Sequence, residues 1–308
     1  MTIYLLSLQK RNKVVVFFLS LFFSLVISTQ LPAQQIEETA PSKSCLWVVE
    51  STSTRVFLLG SLHVLKSSAY PLAPEIDRAY AASRRLVFET DLDAMMEPAV
   101  LTKMMELGVY PEGQDLFQNI SGTTRKNLEK KLQDLGLPSA SFTQFKPWFL
   151  AVTLTTLELQ RLGFNSLYGI DFHFYTKAKA DEKELAYLES VEYQLNLLGK
   201  MNAQDQNSFL TQTLKDLDIS AQLADDMMTA WQNGEAEDLY ELLFKSFEEH
   251  PGIEDRLLTR RNKDWLPQIE KMLKTPKTTM VIVGAGHLIG PEGLVELLKQ
   301  KGYEVKQR

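Results

Sequence analysis

Cysteine and histidine are scarce in this sequence. Cys45 is the one cysteine among 308 residues, so a disulfide framework and any zinc or iron–sulfur site built from several cysteines are excluded. The four histidines are His63, His173, His250 and His287. A chain with so few of these side chains can form few metal sites or general bases, and each histidine can be considered separately.

The N-terminal apolar run is short for a membrane span. It covers residues 14–27, whereas a spanning helix needs about 20 apolar residues. A basic segment at residues 10–13 precedes the run, and small or polar residues follow it as far as Ala33. This pattern predicts a secretory signal peptide over residues 1–33, cleaved after Ala33, and a periplasmic or secreted protein. The alternative is a retained signal anchor, which would hold the protein at the membrane.

Positive charge is in deficit. The chain has 33 Lys and Arg against 39 Asp and Glu, a net charge of −6. Removal of residues 1–33 removes three cations and no acid, which leaves 30 against 39 and a net charge of −9. An acidic exported protein is poorly suited to nucleic acid and to anionic lipid surfaces. We therefore expect a peptide or small-molecule substrate, no nucleic-acid partner, and membrane contact only if the signal segment is retained.

The rest of the chain has the composition of a globular protein, with 44% hydrophobic and 23% charged residues. Residues 34–44 are polar and predict a flexible lead-in to a single domain over residues 45–308. Apolar, β-branched runs predict strands at 45–50, 55–60, 85–91, 183–190, 278–286 and 303–307. Apolar spacing, proline and glycine predict helices at 74–83, 97–108, 121–136, 147–163, 191–200, 203–217, 220–233, 235–248, 254–274 and 291–302. The pattern predicts an α/β fold whose central sheet is built from the N- and C-terminal segments, with a large helical insertion at about residues 97–275.

Two G-x-x-H segments each follow an apolar run. They are GSLH, which ends at His63, and GAGH, which ends at His287; chance predicts about 0.2 such motifs in a chain of this composition. In open α/β sheets, ligands bind outside the carboxyl ends of the strands. Glycine there permits a tight turn and a close backbone approach. We therefore expect the two histidines to project into one crevice.

Glu89 follows apolar residues at the end of the third predicted strand. An acid in such a place is costly to bury without a partner. Convergence of Glu89 with His63 and His287 would give two imidazoles and one carboxylate. That set binds a divalent ion such as Mn²⁺, Co²⁺ or Zn²⁺ and leaves positions for water and substrate. The alternatives are hydrogen-bonded structural histidines and an ion pair between Glu89 and a nearby cation.

Arg261 shares a predicted helix with Arg256 and Arg260. The sequence leaves two interpretations open: a solvated helix face, or a cation that binds a substrate carboxylate or a developing oxyanion. Glu189 ends a predicted strand just before a helix, where the helix dipole favours an acid.

Three other polar residues have simpler interpretations. Asp171 follows a glycine-containing turn and is predicted to cap a helix that starts near Phe172. His173 lies between two phenylalanines, which indicates a packed structural residue. His250 precedes a Pro-Gly pair, which indicates a loop.

Together these segments resemble the TraB/PrgY/GumN family over about residues 45–305. The matching segments are GSLH, FETD, YGIDFHF, LESVEYQ, RRN and residues 283–305, of which the last is the most specific. Paired G-x-x-H motifs link this family to the Tiki metalloproteases and, more remotely, to erythromycin-esterase-like and ChaN-like proteins. The resemblance implies an α/β fold like that of these more remote relatives.

The resemblance also implies roles for individual residues. His63, Glu89 and His287 would bind the metal, and with Arg261 they would form the catalytic set. A second group would contact the substrate: Ser61, Asp171, Glu189 and Asn262. Ser61 stands where threonine is common in the family, a change that keeps the hydroxyl.

The sequence favours an exported, metal-dependent hydrolase, a peptidase in particular. One alternative is a metal-independent, esterase-like hydrolase in which a histidine is the general base. The other is a non-catalytic protein that binds a peptide or a haem-like ligand through the helical insertion.

Overall fold

The computed structural model describes residues 43–244 and 251–308. The expected signal peptide, residues 34–42 of the lead-in, and His250 lie outside the described residues. Within the two described ranges, no helix combines the length and the apolar character needed to cross a membrane.

Six strands of the described chain form a mixed sheet in the order β4-β3-β5-β2-β1-β6. They are β1 Leu46–Glu50, β2 Arg55–Ser61, β3 Arg85–Phe88, β4 Glu184–Tyr187, β5 Thr279–Gly284 and β6 Glu304–Gln307. The first two form the expected antiparallel hairpin, β2, β5, β3 and β4 run parallel, and β6 pairs antiparallel with β1. The predicted α/β class is therefore confirmed, and both ends of the chain contribute strands. However, β4 comes from within the predicted helical insertion at about residues 97–275, so the terminal segments do not build the sheet alone.

β5 is buried along almost its whole length because β2 and β3 flank it. A continuous apolar run is typical of a parallel strand that is covered on both faces. Since β2, β5 and β3 are parallel, their carboxyl ends lie at one edge of the sheet. The two G-x-x-H segments and Glu89 follow these ends, so the topology brings them to the same edge.

The described residues contain thirteen α-helices. They are α1 Pro74–Ala82, α2 Leu92–Met95, α3 Pro98–Gly108, α4 Gly122–Asp134, α5 Pro147–Arg161, α6 Ile170–Ala180, α7 Val191–Gly199, α8 Ala203–Asp216, α9 Ser220–Asn233, α10 Ala236–Phe244, α11 Pro251–Glu254, α12 Arg260–Met272 and α13 Leu294–Gln300. A π-helical segment, Asp255–Thr259, joins α11 to α12.

The apolar residues form two clusters. One surrounds the sheet and includes Phe174 of α6 and Trp265 of α12. The other lies among α4, α5 and α8 and includes Leu128, Phe149 and Leu210. The insertion therefore has two structural roles, since part of it covers the sheet and part packs on itself.

Helix α6 begins two residues earlier than the sequence predicted. Gly169 is its N-cap and Ile170 its first residue, so Asp171 lies inside the first turn instead of capping the helix. His173 packs as expected, with its ring centroid 5.2 Å from that of Tyr70 and 4.8 Å from that of Phe174.

Candidate active site

Groups from three strand ends meet beside Gly284, the last residue of β5. A methyl group placed on Gly284 would lie 3.3 Å from Glu89 Oε1, 3.5 Å from His63 Nε2 and 3.7 Å from His287 Cδ2. The glycine supplies space here rather than an unusual backbone conformation, since its φ is −49°. The structure thus brings together both motif histidines and the acid that the sequence singled out.

Glu89 is held as a carboxylate. Its Oε1 accepts a hydrogen bond from the Gly284 backbone N–H at 2.8 Å, and its Oε2 accepts from Arg261 Nη2 and from Gln194 Nε2. Burial is the largest influence on the pKa of Glu89 and raises it, but Arg261, the two neighbouring histidines and the Gly284 hydrogen bond together outweigh burial, and the pKa is about 2. Glu89 therefore carries a negative charge at neutral pH.

Arg261 uses every N–H that it has. A guanidinium offers five, and Arg261 donates from Nε and Nη2 to Glu189, from Nη2 to Glu89, and from Nη1 to the Leu257 carbonyl and to His287 Nε2. Its side chain is only 8% exposed. Neither interpretation that the sequence left open, a solvated helix face or a cation free to bind a carboxylate or an oxyanion, describes this arrangement, in which Arg261 is buried and holds the other site residues in place.

His287 is a neutral ring with both nitrogens bonded. Nδ1 donates to Asn262 Oδ1 at 2.7 Å, and Nε2 accepts from Arg261 at 2.9 Å. Asn262 is itself oriented because its Nδ2 donates to the Glu292 carbonyl. Burial, reinforced by the adjacent Arg261 cation, lowers the pKa of His287 to about 3.

His63 is the exposed member of the cluster, with 64% of its side chain accessible. Its Nδ1 lies 3.0 Å from Asp171 Oδ1, in the first turn of α6. Asp171 raises the pKa of His63, an attraction that solvent partly screens. The start of α6 packs tightly on this loop: a Cβ on Gly169 would lie 2.2 Å from the His63 carbonyl oxygen, so only glycine fits there.

Trp265 and Gln194 complete the cluster, and the prediction did not include them among the site residues. The Trp265 indole N–H donates to Glu189 Oε2 at 3.1 Å, and its ring lies 4.4 Å from the His287 ring, centroid to centroid. Trp265 lies four residues after Arg261, on the same helix face. That spacing is a signal that the sequence could have provided.

The π-helical segment just before Arg261 sets the direction of the cluster's helix. A π turn adds a residue to the helix and rotates everything that follows, and such segments are frequent at functional sites. Beyond it, Arg261, Asn262 and Trp265 are all buried against the sheet edge. The expected helix at 254–274 is therefore present, but with an interruption that apolar spacing does not reveal.

The four residues predicted to contact the substrate differ in whether their side chains are hydrogen-bonded. Asp171 holds His63, Glu189 holds Arg261 and Trp265, and Asn262 holds His287. Ser61 is different, because its hydroxyl is buried and makes no hydrogen bond within the described part of the chain.

The donor set only partly fits the predicted metal. His287 Nε2 lies 3.8 Å from Glu89 Oε1, a separation that two ligands of one ion could have when each bond is about 2.1 Å. However, Arg261 donates to that same Nε2 and to Glu89. Across residues 43–244 and 251–308, no group of three or more His, Cys, Asp or Glu side chains is arranged to hold a metal ion. The three-ligand set would require the Arg261 cation to leave His287.

Comparison with known proteins agrees with the resemblance seen in the sequence. A relative in Escherichia coli (strain K12), the uncharacterized protein YbaP, is 27% identical over 79% of this chain and 87% of its own length. A Nematostella vectensis protein named metalloprotease TIKI homolog is 21% identical over 92% of this chain and 71% of its own length. Metalloprotease TIKI2 of Danio rerio is 20% identical over 85% of this chain and 60% of its own length.

No solved structure matches the chain, so the expected likeness to erythromycin-esterase-like and ChaN-like folds stays a prediction. The model of the TraB/PrgY/gumN family matches residues 45–307, which span the sheet and every residue of the site. The chain therefore belongs to the TraB/PrgY/gumN family.

Proposed function

We propose that this chain is an exported hydrolase that cleaves peptide bonds at the cluster beside Gly284. The observation that carries the proposal is the approach of Glu89 Oε1, His63 Nε2 and the His287 ring to one point at the carboxyl ends of the parallel strands. The names of the two TIKI relatives support proteolysis as the reaction.

His63 has the arrangement of a general base. When the His63 ring is neutral, Asp171 accepts a hydrogen bond from Nδ1 and so leaves the lone pair on Nε2. Because Asp171 raises the pKa of His63 to about 9, this neutral form becomes populated as the pH rises toward that value. In the proposed reaction Nε2 takes a proton from water as the water attacks the substrate carbonyl carbon, and it later gives that proton to the leaving amine. Because the His63 side chain is largely exposed, water and substrate can approach it.

Glu89 supplies fixed negative charge beside His63. Its Oε1 would orient the attacking water and stabilise the imidazolium that forms on His63. Arg261 and His287 keep Glu89 in place through the hydrogen bonds described above and need not touch the substrate.

Metal-dependent hydrolysis is a second candidate, favoured by the TIKI names and by the 3.8 Å separation between His287 Nε2 and Glu89 Oε1. A bound divalent ion would supply a more acidic water and polarise the carbonyl. The hydrogen bond from Arg261 to His287 makes the metal-free mechanism the better match to the geometry.

The reaction is tested with internally quenched fluorescent peptides and with p-nitrophenyl acetate as an ester probe. We expect the purified protein to cleave peptides and His63→Ala to lose at least about 10²-fold in rate. His173→Gln, a change at a histidine that packs against Tyr70 and Phe174, is the control and should keep its rate. Equal rates for wild type and His63→Ala would exclude the proposed site.

Chelation separates the two candidates. After EDTA treatment and elemental analysis to verify removal of metal, the metal-free mechanism predicts an unchanged rate. A rate that disappears and returns with Mn²⁺, Co²⁺ or Zn²⁺ would establish the second candidate.

Export is tested by fractionation. We expect the protein in the periplasm or medium, with an N-terminus near Gln34. Full-length chain in the membrane fraction would instead identify residues 14–27 as an anchor.

A further inference from the structure

Hydrolysis of an amide develops negative charge on the carbonyl oxygen, and a hydrogen-bond donor is needed where that charge forms. The cationic residue that the sequence suggested is already committed, because all five N–H groups of Arg261 have acceptors. The one N–H of neutral His287 is committed to Asn262. Another group must therefore donate to the oxyanion.

Ser61 is a donor of the required kind. It is the last residue of β2, it is 2% exposed, and its Oγ has no hydrogen-bond partner within the described residues. Most buried hydroxyls in folded proteins are paired, so an unpaired one requires an explanation.

The register of the sheet places Ser61 on the side of the cluster. Ser61 pairs with Gly284 across the parallel strands β2 and β5. Residues paired in this way direct their Cβ atoms to the same face, and neighbouring strands are about 4.8 Å apart. The Cβ direction of Gly284 leads to Glu89, His63 and His287, so the Ser61 side chain rises from the same face one strand away.

We propose that the Ser61 hydroxyl donates a hydrogen bond to the substrate carbonyl oxygen as it becomes the oxyanion. Water adds its oxygen to the carbonyl carbon, the π electrons of the carbonyl move onto its oxygen, and Ser61 stabilises that oxygen without forming a bond to carbon. The electron pair on that oxygen then re-forms the carbonyl as the carbon–nitrogen bond breaks, and the leaving nitrogen takes the proton that His63 removed from water. This role rests on the proposed hydrolase function.

The test compares Ser61→Ala with Ser83→Ala. Ser83 is equally buried, but its Oγ donates to the Ala79 carbonyl at 2.8 Å. We expect Ser61→Ala to lower kcat by about 10²-fold with little change in KM, and to leave the free energy of unfolding equal or higher, since it removes an unpaired polar group. Ser83→Ala should show the reverse, a loss of stability and an unchanged kcat. Ser61→Thr, which keeps a hydroxyl, should retain most of the rate.

Several results would overturn this role and leave the hydrolase intact. They are full activity in Ser61→Ala, a loss of stability in Ser61→Ala as large as in Ser83→Ala, and an acyl adduct on Ser61 detected by mass spectrometry, which would make the serine a nucleophile. A wild-type protein that cleaves no peptide and no ester would overturn the hydrolase function itself, and the role of Ser61 with it.

Discussion

Two regions of this molecule bury a glutamate against an arginine, and they do so differently. In the helical insertion, Glu158 pairs with Arg161 three residues later on α5, and 61% of the Arg161 side chain is exposed. At the sheet edge, Glu89 pairs with Arg261, which is 172 residues away in sequence and buried. The first pair is a product of helix geometry, whereas the second exists only when the whole fold has formed.

The difference lies in what each pair requires. The exposed guanidinium of Arg161 keeps much of its hydration, so the local pair needs little else. Arg261 has lost its water, and burial of a charge is unfavourable unless every donor is satisfied. Two carboxylates, a carbonyl and a histidine satisfy it. This arrangement holds Glu89, Glu189 and His287 in fixed positions at the ends of the central strands.

The largest expected effect is from removing the long-range cation. Arg261→Met should lower the free energy of unfolding by about 3–5 kcal/mol, because it leaves two buried carboxylates without their counter-charge. Arg260→Met is the control: that side chain is 70% exposed and pairs with Asp255, so its loss should be about 0–1 kcal/mol. Urea denaturation measures both. Arg161→Met should lower the free energy of unfolding by less than Arg261→Met does. Equal losses would show that the local pair and the long-range pair contribute equally to stability.

Substitutions of Glu89 and Glu158 should differ in their effect on activity. Glu89→Gln keeps the shape of the side chain and removes its charge beside His63, so we expect peptide hydrolysis to fall by about 10²–10⁴-fold. Glu158→Gln in the insertion should leave the rate unchanged. Initial rates on the same fluorescent peptides give the comparison, and circular dichroism verifies that both variants are folded. A Glu89→Gln variant with normal rates would remove Glu89 from the site.

Space at the sheet edge can be tested in the same way. Gly284→Ala adds a methyl group between Glu89 Oε1 and His63 Nε2 without backbone strain, and the displaced groups should lower hydrolysis by about 10²-fold. Gly122→Ala at the start of α4 adds a methyl group to open space and should have no effect. If the two variants have the same kcat/KM, the point beside Gly284 is not where the reaction takes place.

The smallest effect concerns pH. Hydrogen bonding to Arg161 lowers the pKa of Glu158, which outweighs the effect of burial. A carboxyl whose pKa is lower in the folded state stabilises the protein above its unfolded pKa of about 4.3, and this contribution is lost as the pH falls through the folded pKa. The difference in unfolding free energy between wild type and Glu158→Gln should thus be constant at pH 6–8 and shrink below about pH 4. If the difference in unfolding free energy grew on acidification, the pKa of Glu158 would be raised in the folded protein instead of lowered.

The strands and most helices could be predicted from local sequence. A continuous apolar, β-branched run such as residues 279–283 of β5 is typical of a buried strand, whatever its neighbours are. The boundary of α6 could not, since its start is fixed by Gly169 packing on the His63 carbonyl from a distant loop. The π-helical segment at Asp255–Thr259 could not either, because a π turn differs from an α turn in its backbone hydrogen bonds, which apolar spacing does not reveal.

The sequence by itself determined which residue types could carry chemistry. Two G-x-x-H motifs and Glu89 follow apolar strands, and parallel strand ends meet at one edge, so their convergence followed from local pattern and topology. Which atoms are free was decided only by the tertiary structure. Hydrogen bonds join residues far apart in the chain, and they engage Arg261 and both nitrogens of His287, while the Ser61 hydroxyl has no partner among residues 43–244 and 251–308. Composition and residue spacing do not predict these hydrogen bonds. Each bond depends on a distance between two atoms, and only the complete fold determines that distance.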